Sequence, residues 1–293
     1  MMRDQAETLA ARLPPLMVQA ERVAATVAQG VHGRRRIGTG DSFWQFRPFV
    51  EGDAATRIDW RQSAKSDRSF VRETEWEAAQ TVCLWRDASP SMAWRSGREL
   101  PEKRQRAELL LLALTCLLAR AGEQVRLVGV EGRVFTGRIA PEGVAAALPT
   151  GGDGLPPPSD LPRHATAVLF GDFLGPLAGI QACLSRLAAL PVHGHLIMVL
   201  DPAEIALPYD GRVKFRGLEG EPEAVVPRVQ GVRDAYGEAL AAQQSGLRAI
   251  CAAAGFDLAI HRTDHPPEAA LMALWLALDA GPGPGSRSGA AYR

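Results

Sequence analysis

The sequence predicts an α/β fold from about residue 79 onward: a doubly wound, mainly parallel sheet with helices on both faces. Three observations carry this. Short apolar runs recur at 81–85, 165–170, 195–200 and 257–261, each of a length that suits a strand buried on both sides. Longer stretches with helical spacing separate them, at 102–120, 177–190, 229–254 and 266–278, long enough for the crossovers that parallel neighbours require. The 46% hydrophobic and 23% charged residues are ordinary for a globular chain, and 293 residues suit one large domain or two modest ones.

Taken in order, residues 3–28 place Leu9, Leu13, Leu16, Ala20, Val23 and Val27 on one helical face, with Pro14 and Pro15 as the point of a kink. We read 1–29 as an amphipathic leader helix. Residues 30–78 form a second region, charged and aromatic, with Arg34, Arg35 and Arg36 in a Gly-rich stretch and Phe43, Trp44, Phe46, Phe49, Trp60, Phe70 and Trp76 following. Phe70 to Glu77 alternates as a strand would. Residues 79–280 are the α/β domain. Within it, the first helix closes at Gly122. Gln124–Val130 is expected to pair with Arg133–Ile139 across Glu131-Gly132 as a hairpin. A short helix follows at 141–148 and a Gly/Pro-rich loop at 150–162. A small β excursion is predicted around 211–215 and 223–226. The Gly/Pro/Ser-rich tail, 281–293, reads as disordered.

Charge and cysteine usage narrow the function classes. Acids and bases balance at 33 each, which excludes a globally basic nucleic-acid binder. Thirty of the bases are arginine; the lysines are Lys65, Lys103 and Lys214. Cys83, Cys116, Cys183 and Cys251 lie far apart among apolar residues, with no Cys-x-x-Cys pair, so buried free thiols in a reducing compartment are expected. The first 28 residues mix charges into their apolar positions, unlike a signal peptide, and the longest apolar run is too short for a membrane span. The expected location is cytoplasmic.

In open α/β sheets, sites form where strands end and helices begin. The first strand runs into Asp87-Ala-Ser89-Pro-Ser91, and a later one into Gly171-Asp172-Phe173. Two carboxylates and two hydroxyls at one sheet edge are oxygen-only donors of the kind that suit Mg2+ or Mn2+. The same residues can instead be structural, with Ser89 and Ser91 capping the next turn and Asp87 held by backbone amides. Other chemistries lack their motifs: there is no His-Glu-x-x-His, no Gly-x-Ser-x-Gly and no Gly-x-x-x-x-Gly-Lys-Ser.

Asp87-x-Ser89-x-Ser91 with Asp172 resembles the metal-ion-dependent adhesion site of von Willebrand factor A domains. The segment before it is more specific. His32-Gly33, Gly38-Thr-Gly40-Asp-Ser-Phe43, Arg47-Pro-Phe-Val-Glu-Gly52-Asp53, Arg57-Ile-Asp59-Trp60-Arg61-Gln-Ser63-Ala64 and Val71-Arg-Glu73 together resemble the signature of the bacterial "domain of unknown function 58" family. That resemblance implies a von Willebrand A-like, Rossmann-like core with a metal site on its upper edge. It also implies a non-enzymatic partner or adaptor of MoxR-type AAA+ ATPases, acting with them in chaperone-like maturation of a client protein complex. In such a site Mg2+, or Mn2+, bridges to a partner carboxylate. The resemblance maps Asp87, Ser89, Ser91 and Asp172 onto it. Where Gly-Gly-Thr is expected, this chain has Gly151-Gly152-Asp153 with Thr150 before it, so Asp153 or Thr150 stands as the fifth ligand. Arg47, Arg57 and Arg61 have two readings: partner-binding residues facing an acidic ATPase surface, or members of a buried lattice with Asp53 and Asp59. A scaffold with a vestigial metal site and a Mg2+-dependent phosphoesterase are the alternatives to the adaptor.

Overall fold

The computed structural model describes residues 2–31, 43–50, 58–65, 68–74 and 79–280. The chain divides into two compact units, one made of 1–31 with 80–293 and the other of 32–79.

The larger unit is built on five strands: β3 (Thr81–Arg86), β4 (Gln124–Leu127), β5 (Thr166–Gly171), β6 (His193–Leu200) and β9 (Phe256–Arg262). Their order is β4-β3-β5-β6-β9 and every pairing is parallel. Counting these strands along the chain, the order is 2-1-3-4-5, so the sheet reverses direction of growth between β3 and β5. That is where ligands bind in folds of this kind.

Alternation along each strand feeds two cores. Val82 and Leu84 of β3, Val168 and Phe170 of β5 and Ile197 and Val199 of β6 pack on one side. That side is covered by α1 (Met2–Val31), α3 (Lys103–Ala121), α4 (Ala140–Ala147) and α8 (Pro267–Ala280). Cys83 and Trp85, Leu169, and Leu196 and Met198 pack on the other, under α5 (Leu177–Ala188) and α7 (Arg233–Ala254). Side chains buried on both faces explain why the strands read as continuous apolar runs. Helix α3 is itself buried nearly all round, from Leu110 to Leu118, because α1 and α8 cover the surface it turns away from the sheet. It ends at Gly122 in the left-handed region, φ 82°, where a side chain would be strained. All four cysteines are buried and free; burial pushes the Cys83 and Cys116 thiols up to about 11.

Two expectations change in detail. Residues 133–139 form no strand: a single antiparallel bridge joins Phe135 to Val125. Gly132 and Gly137, both at positive φ, turn the chain on either side of Phe135 and leave no run to pair. The second long helix of the C-terminal half starts at Arg233, after a 3-10 turn at Val229–Gly231. The small β excursion is present as the antiparallel pair β7 (Val213–Phe215) and β8 (Ala224–Val226), set between the short helix α6 (Pro202–Ala206) and α7.

The smaller unit pairs β1 (Phe43–Pro48) with β2 (Phe70–Thr74) antiparallel, with an irregularity between Phe43 and Gln45. The one-turn helix α2 (Trp60–Ser63) is capped by Asp59, whose carboxylate accepts from the Gln62 amide. Ser63 ties this turn to β2, since its Oγ accepts from the Phe70 amide and donates to the Asp59 carbonyl. The predicted tail 281–293 and most of the Gly/Arg stretch lie outside the described residues.

Candidate functional site

The switch point between β3 and β5 carries a polar cluster in an otherwise apolar edge. Asp87, the first residue past β3, is 1% exposed. Its Oδ1 accepts from the Ser89 amide at 2.7 Å. Burial is the main force pushing its carboxyl above the usual range, against the bonds from Ser89, and the nearby Asp172 and Glu219 add to the rise. Ser89 Oγ lies 3.1 Å from Ser91 Oγ, and Ser91 Oγ donates to Asp172 Oδ2 at 2.8 Å. Asp172 sits just past β5, and its Oδ1 accepts from the Leu174 amide. The four residues matched by sequence are therefore brought together as one chain of contacts.

Lys103, the first residue of α3, completes the cluster. Its side chain is 1% exposed, and Nζ donates to Asp172 Oδ2 at 2.8 Å and to Glu204 Oε1 at 2.5 Å. Burial alone would weaken this ammonium as an acid-base holder of charge, but Asp172 and Glu204 outweigh it and hold its pKa above the ordinary lysine value. Glu204 belongs to α6. Its other oxygen accepts from the Asp201 amide, while Asp201 caps α6 through Ala203 and accepts from the Ser96 amide. The ammonium thus ties the end of β5 to α6, which follows β6, and the β3 end joins them through the Ser91–Asp172 bond.

Three residues of this network carry no mark in the motif reading: Lys103, Asp201 and Glu204. A signal existed for each. Asp201 follows the third buried strand as Asp87 and Asp172 follow the first and second, and Asp201-Pro-Ala-Glu204 is a capping box. Lys103 is one of three lysines beside thirty arginines, which marks the residue without marking its partners.

The predicted fifth ligands stand differently. Thr150 and Asp153 are exposed; further along the same loop, a Cβ added at Gly154 would lie 4.0 Å from Asp87 Oδ2. A further carboxylate near the cluster is Glu219, in the β7–β8 turn, with Oε1 3.4 Å from the Ser91 amide. Of the signature arginines, Arg61 is exposed on α2. Arg47 lies on β1, with its side chain outside the described residues, and Arg57 lies outside them altogether. Asp59, offered as a lattice partner, is engaged as the α2 cap.

Does this donor set fit a divalent ion? Octahedral Mg2+, with bonds near 2.05 Å, sets adjacent oxygens about 2.9 Å apart. The Ser89–Ser91 and Ser91–Asp172 oxygens stand at 3.1 and 2.8 Å, hydrogen-bond distances that also match this edge, so the spacing admits an ion without requiring one. Among the described residues no three carboxylates, imidazoles or thiols converge to hold a metal by themselves; an ion here leans on the serine hydroxyls.

A family model described as protein of unknown function DUF58 matches residues 45–246. Curated relatives are uncharacterized proteins of Mycobacterium bovis and of two strains of Mycobacterium tuberculosis. Each is 26% identical over 279 residues, covering 87% of this chain and 85% of the relative. Two solved structures resemble it weakly. One is a conserved hypothetical protein, BatB, from Bacteroides thetaiotaomicron (14% identity, TM-score 0.38, covering 69% of this chain and 98% of the other). The other is an aerotolerance-related membrane protein from Bacteroides fragilis (16%, 0.37, 69% and 100%). Likeness at that level carries no argument. No described helix of this chain is long and apolar enough to cross a membrane.

Proposed function

We propose that this chain, which belongs to the DUF58 family, is a non-enzymatic interaction module or adaptor that works with a MoxR-type AAA+ ATPase in chaperone-like maturation of a protein complex. We further propose that it makes contact through the β3–β5 strand-end site and resides in the cytoplasm. The ATPase and its client rest on the family resemblance. The contact site rests on one observation: Ser89, Ser91 and Asp172 hold three oxygens at the spacing of a metal's coordination edge, at the sheet's switch point. Mg2+ or Mn2+ bound there would offer a coordination position to a partner's Asp or Glu. Asp87, behind Ser89, fixes the turn that presents both hydroxyls. Lys103 favours a second reading, a scaffold whose strand ends are held by the ammonium with no metal.

Two experiments test the proposal. Thermal unfolding is followed with and without millimolar Mg2+ or Mn2+, for the natural chain and for Asp87→Ala. A ligand that binds only the folded state adds about 2.7 kcal/mol at a hundredfold excess over its Kd, so the natural chain should melt higher with metal and Asp87→Ala should not. No shift in the natural chain moves the contact to the scaffold reading. Co-purification with a MoxR-type ATPase in ATP and Mg2+ tests the partner; absence of a complex there overturns it.

A further inference from the structure

Lys103 stands apart from the other two lysines. Lys65 and Lys214 are exposed, whereas Lys103 is among the largest fully buried side chains of the protein. Its two acceptors come from different elements, Asp172 past β5 and Glu204 on α6. The Asp172 oxygen that it holds is the same one that accepts from Ser91. Its own backbone amide bonds the Trp94 carbonyl, so the loop that carries Ser89 and Ser91 is anchored to the residue that carries the charge. An ammonium is a compact point charge on a flexible stem and can sit between two separate carboxylates; a planar guanidinium fork cannot be exchanged for it there.

We propose that Lys103 is the resident cation of the strand-end site. Its ammonium neutralises Asp172 and Glu204 and keeps the Ser89–Ser91–Asp172 oxygens assembled in the absence of metal, and by doing so it keeps the site's affinity for divalent ions low. The inference rests on the metal reading above for its donor set and is independent of the partner. A divalent ion that takes Asp172 Oδ2 shares that oxygen with the ammonium, and the like charges repel across a part-buried site. Without the ammonium, the same oxygens face two unneutralised carboxylates, and the divalent ion becomes the group that satisfies them. The expected gain in affinity is on the order of tenfold or more.

The test is a thermal-unfolding titration with Mg2+, starting from chelator, on the natural chain, on Lys103→Met and on Lys103→Met/Glu204→Gln. The double variant leaves only one carboxylate unpaired, so it decides the matter if Lys103→Met fails to fold with and without metal. Lys103→Met is expected to melt lower than the natural chain in chelator. Added Mg2+ should restore it, with half-saturation at an about tenfold lower concentration than for the natural chain, and adding Asp87→Ala should abolish that response. If the variants respond and the natural chain does not, the inference stands and the metal-bridged contact of the free chain falls. If the natural chain responds and the variants respond no more strongly, the inference alone falls. If none responds, both fall.

Discussion

His261, on β9, faces Arg106 of α3 across the core. It is 5% exposed, and its Nε2 lies 3.1 Å from Arg106 Nη1. A guanidinium only donates, so Nε2 accepts and the neutral ring carries its proton on Nδ1. Burial first, then the Arg106 and His265 charges, push its pKa from 6.5 down to about 4, against a weaker pull from Asp264. The unfolded chain takes up this proton near pH 6.5 and the folded chain only near 4. The stability present above pH 6.5 is therefore lost as pH falls towards 4, by up to about 3 kcal/mol. His261→Gln keeps an acceptor for Arg106 and does not titrate. Urea unfolding at a series of pH values should show the natural chain losing more stability than the variant across that window; parallel loss in the two chains removes His261 as the cause. At this scale the sequence was legible where chemistry and chain position coincide. Asp87 and Asp172 each follow a buried strand directly, and Ser89 and Ser91 come in the turn just after Asp87, so their convergence could be read from strand ends alone. Lys103 could not: it meets Asp172 and Glu204 from 69 and 101 residues away, and no local pattern encodes that meeting.

Among the elements, the pairing of β6 with β9 begins at a glycine that leaves room for an aromatic ring. Gly194 stands opposite Phe256 in the register, and a Cβ at Gly194 would overlap the Phe256 ring. The ring is 4% exposed and belongs to the core under α5 and α7, so it has little room to withdraw. Gly194→Ala should cost about 1–3 kcal/mol by overpacking. Phe256→Leu, destabilising by itself, should cost less in the Gly194→Ala background, because the smaller side chain vacates the space that the methyl needs. A double-mutant cycle by urea unfolding measures this coupling, and strictly additive effects would disprove the clash. Strands buried on both faces were legible from their apolar runs, and helices from their length between them. The expected strand 133–139 was not, because its alternation is genuine while Gly132 and Gly137 turn the backbone away on both sides of Phe135. Periodicity reports which side chains prefer burial; it does not report whether a neighbouring strand can run alongside.

For the whole molecule, the residues matched by the family model, 45–246, are not a complete fold. They omit α1, β9, α8 and the last turns of α7. Without β9, the inner strand β6 becomes an edge along Gly194–Leu200, an apolar run with unpaired backbone groups, which is a template for association with other chains. Without α1 and α8, the core that holds Leu110, Leu111, Leu114 and Leu118 of α3, each at most 3% exposed in the intact chain, loses Ala20, Val23, Ala24 and Val27 from one helix and Leu271 and Leu274 from the other. Burying large aliphatic side chains contributes about 1.5–3 kcal/mol each, so exposing those four leucines costs about 6–12 kcal/mol, comparable to the usual 5–15 kcal/mol net stability of a domain. A fragment spanning 45–246 should therefore aggregate or melt without a sharp transition while binding a hydrophobic dye, whereas one spanning 2–280 should melt cooperatively. A monomeric 45–246 fragment with a sharp transition close to that of 2–280 would mean that α1 and α8 merely decorate the core, and that β6 tolerates life at the edge.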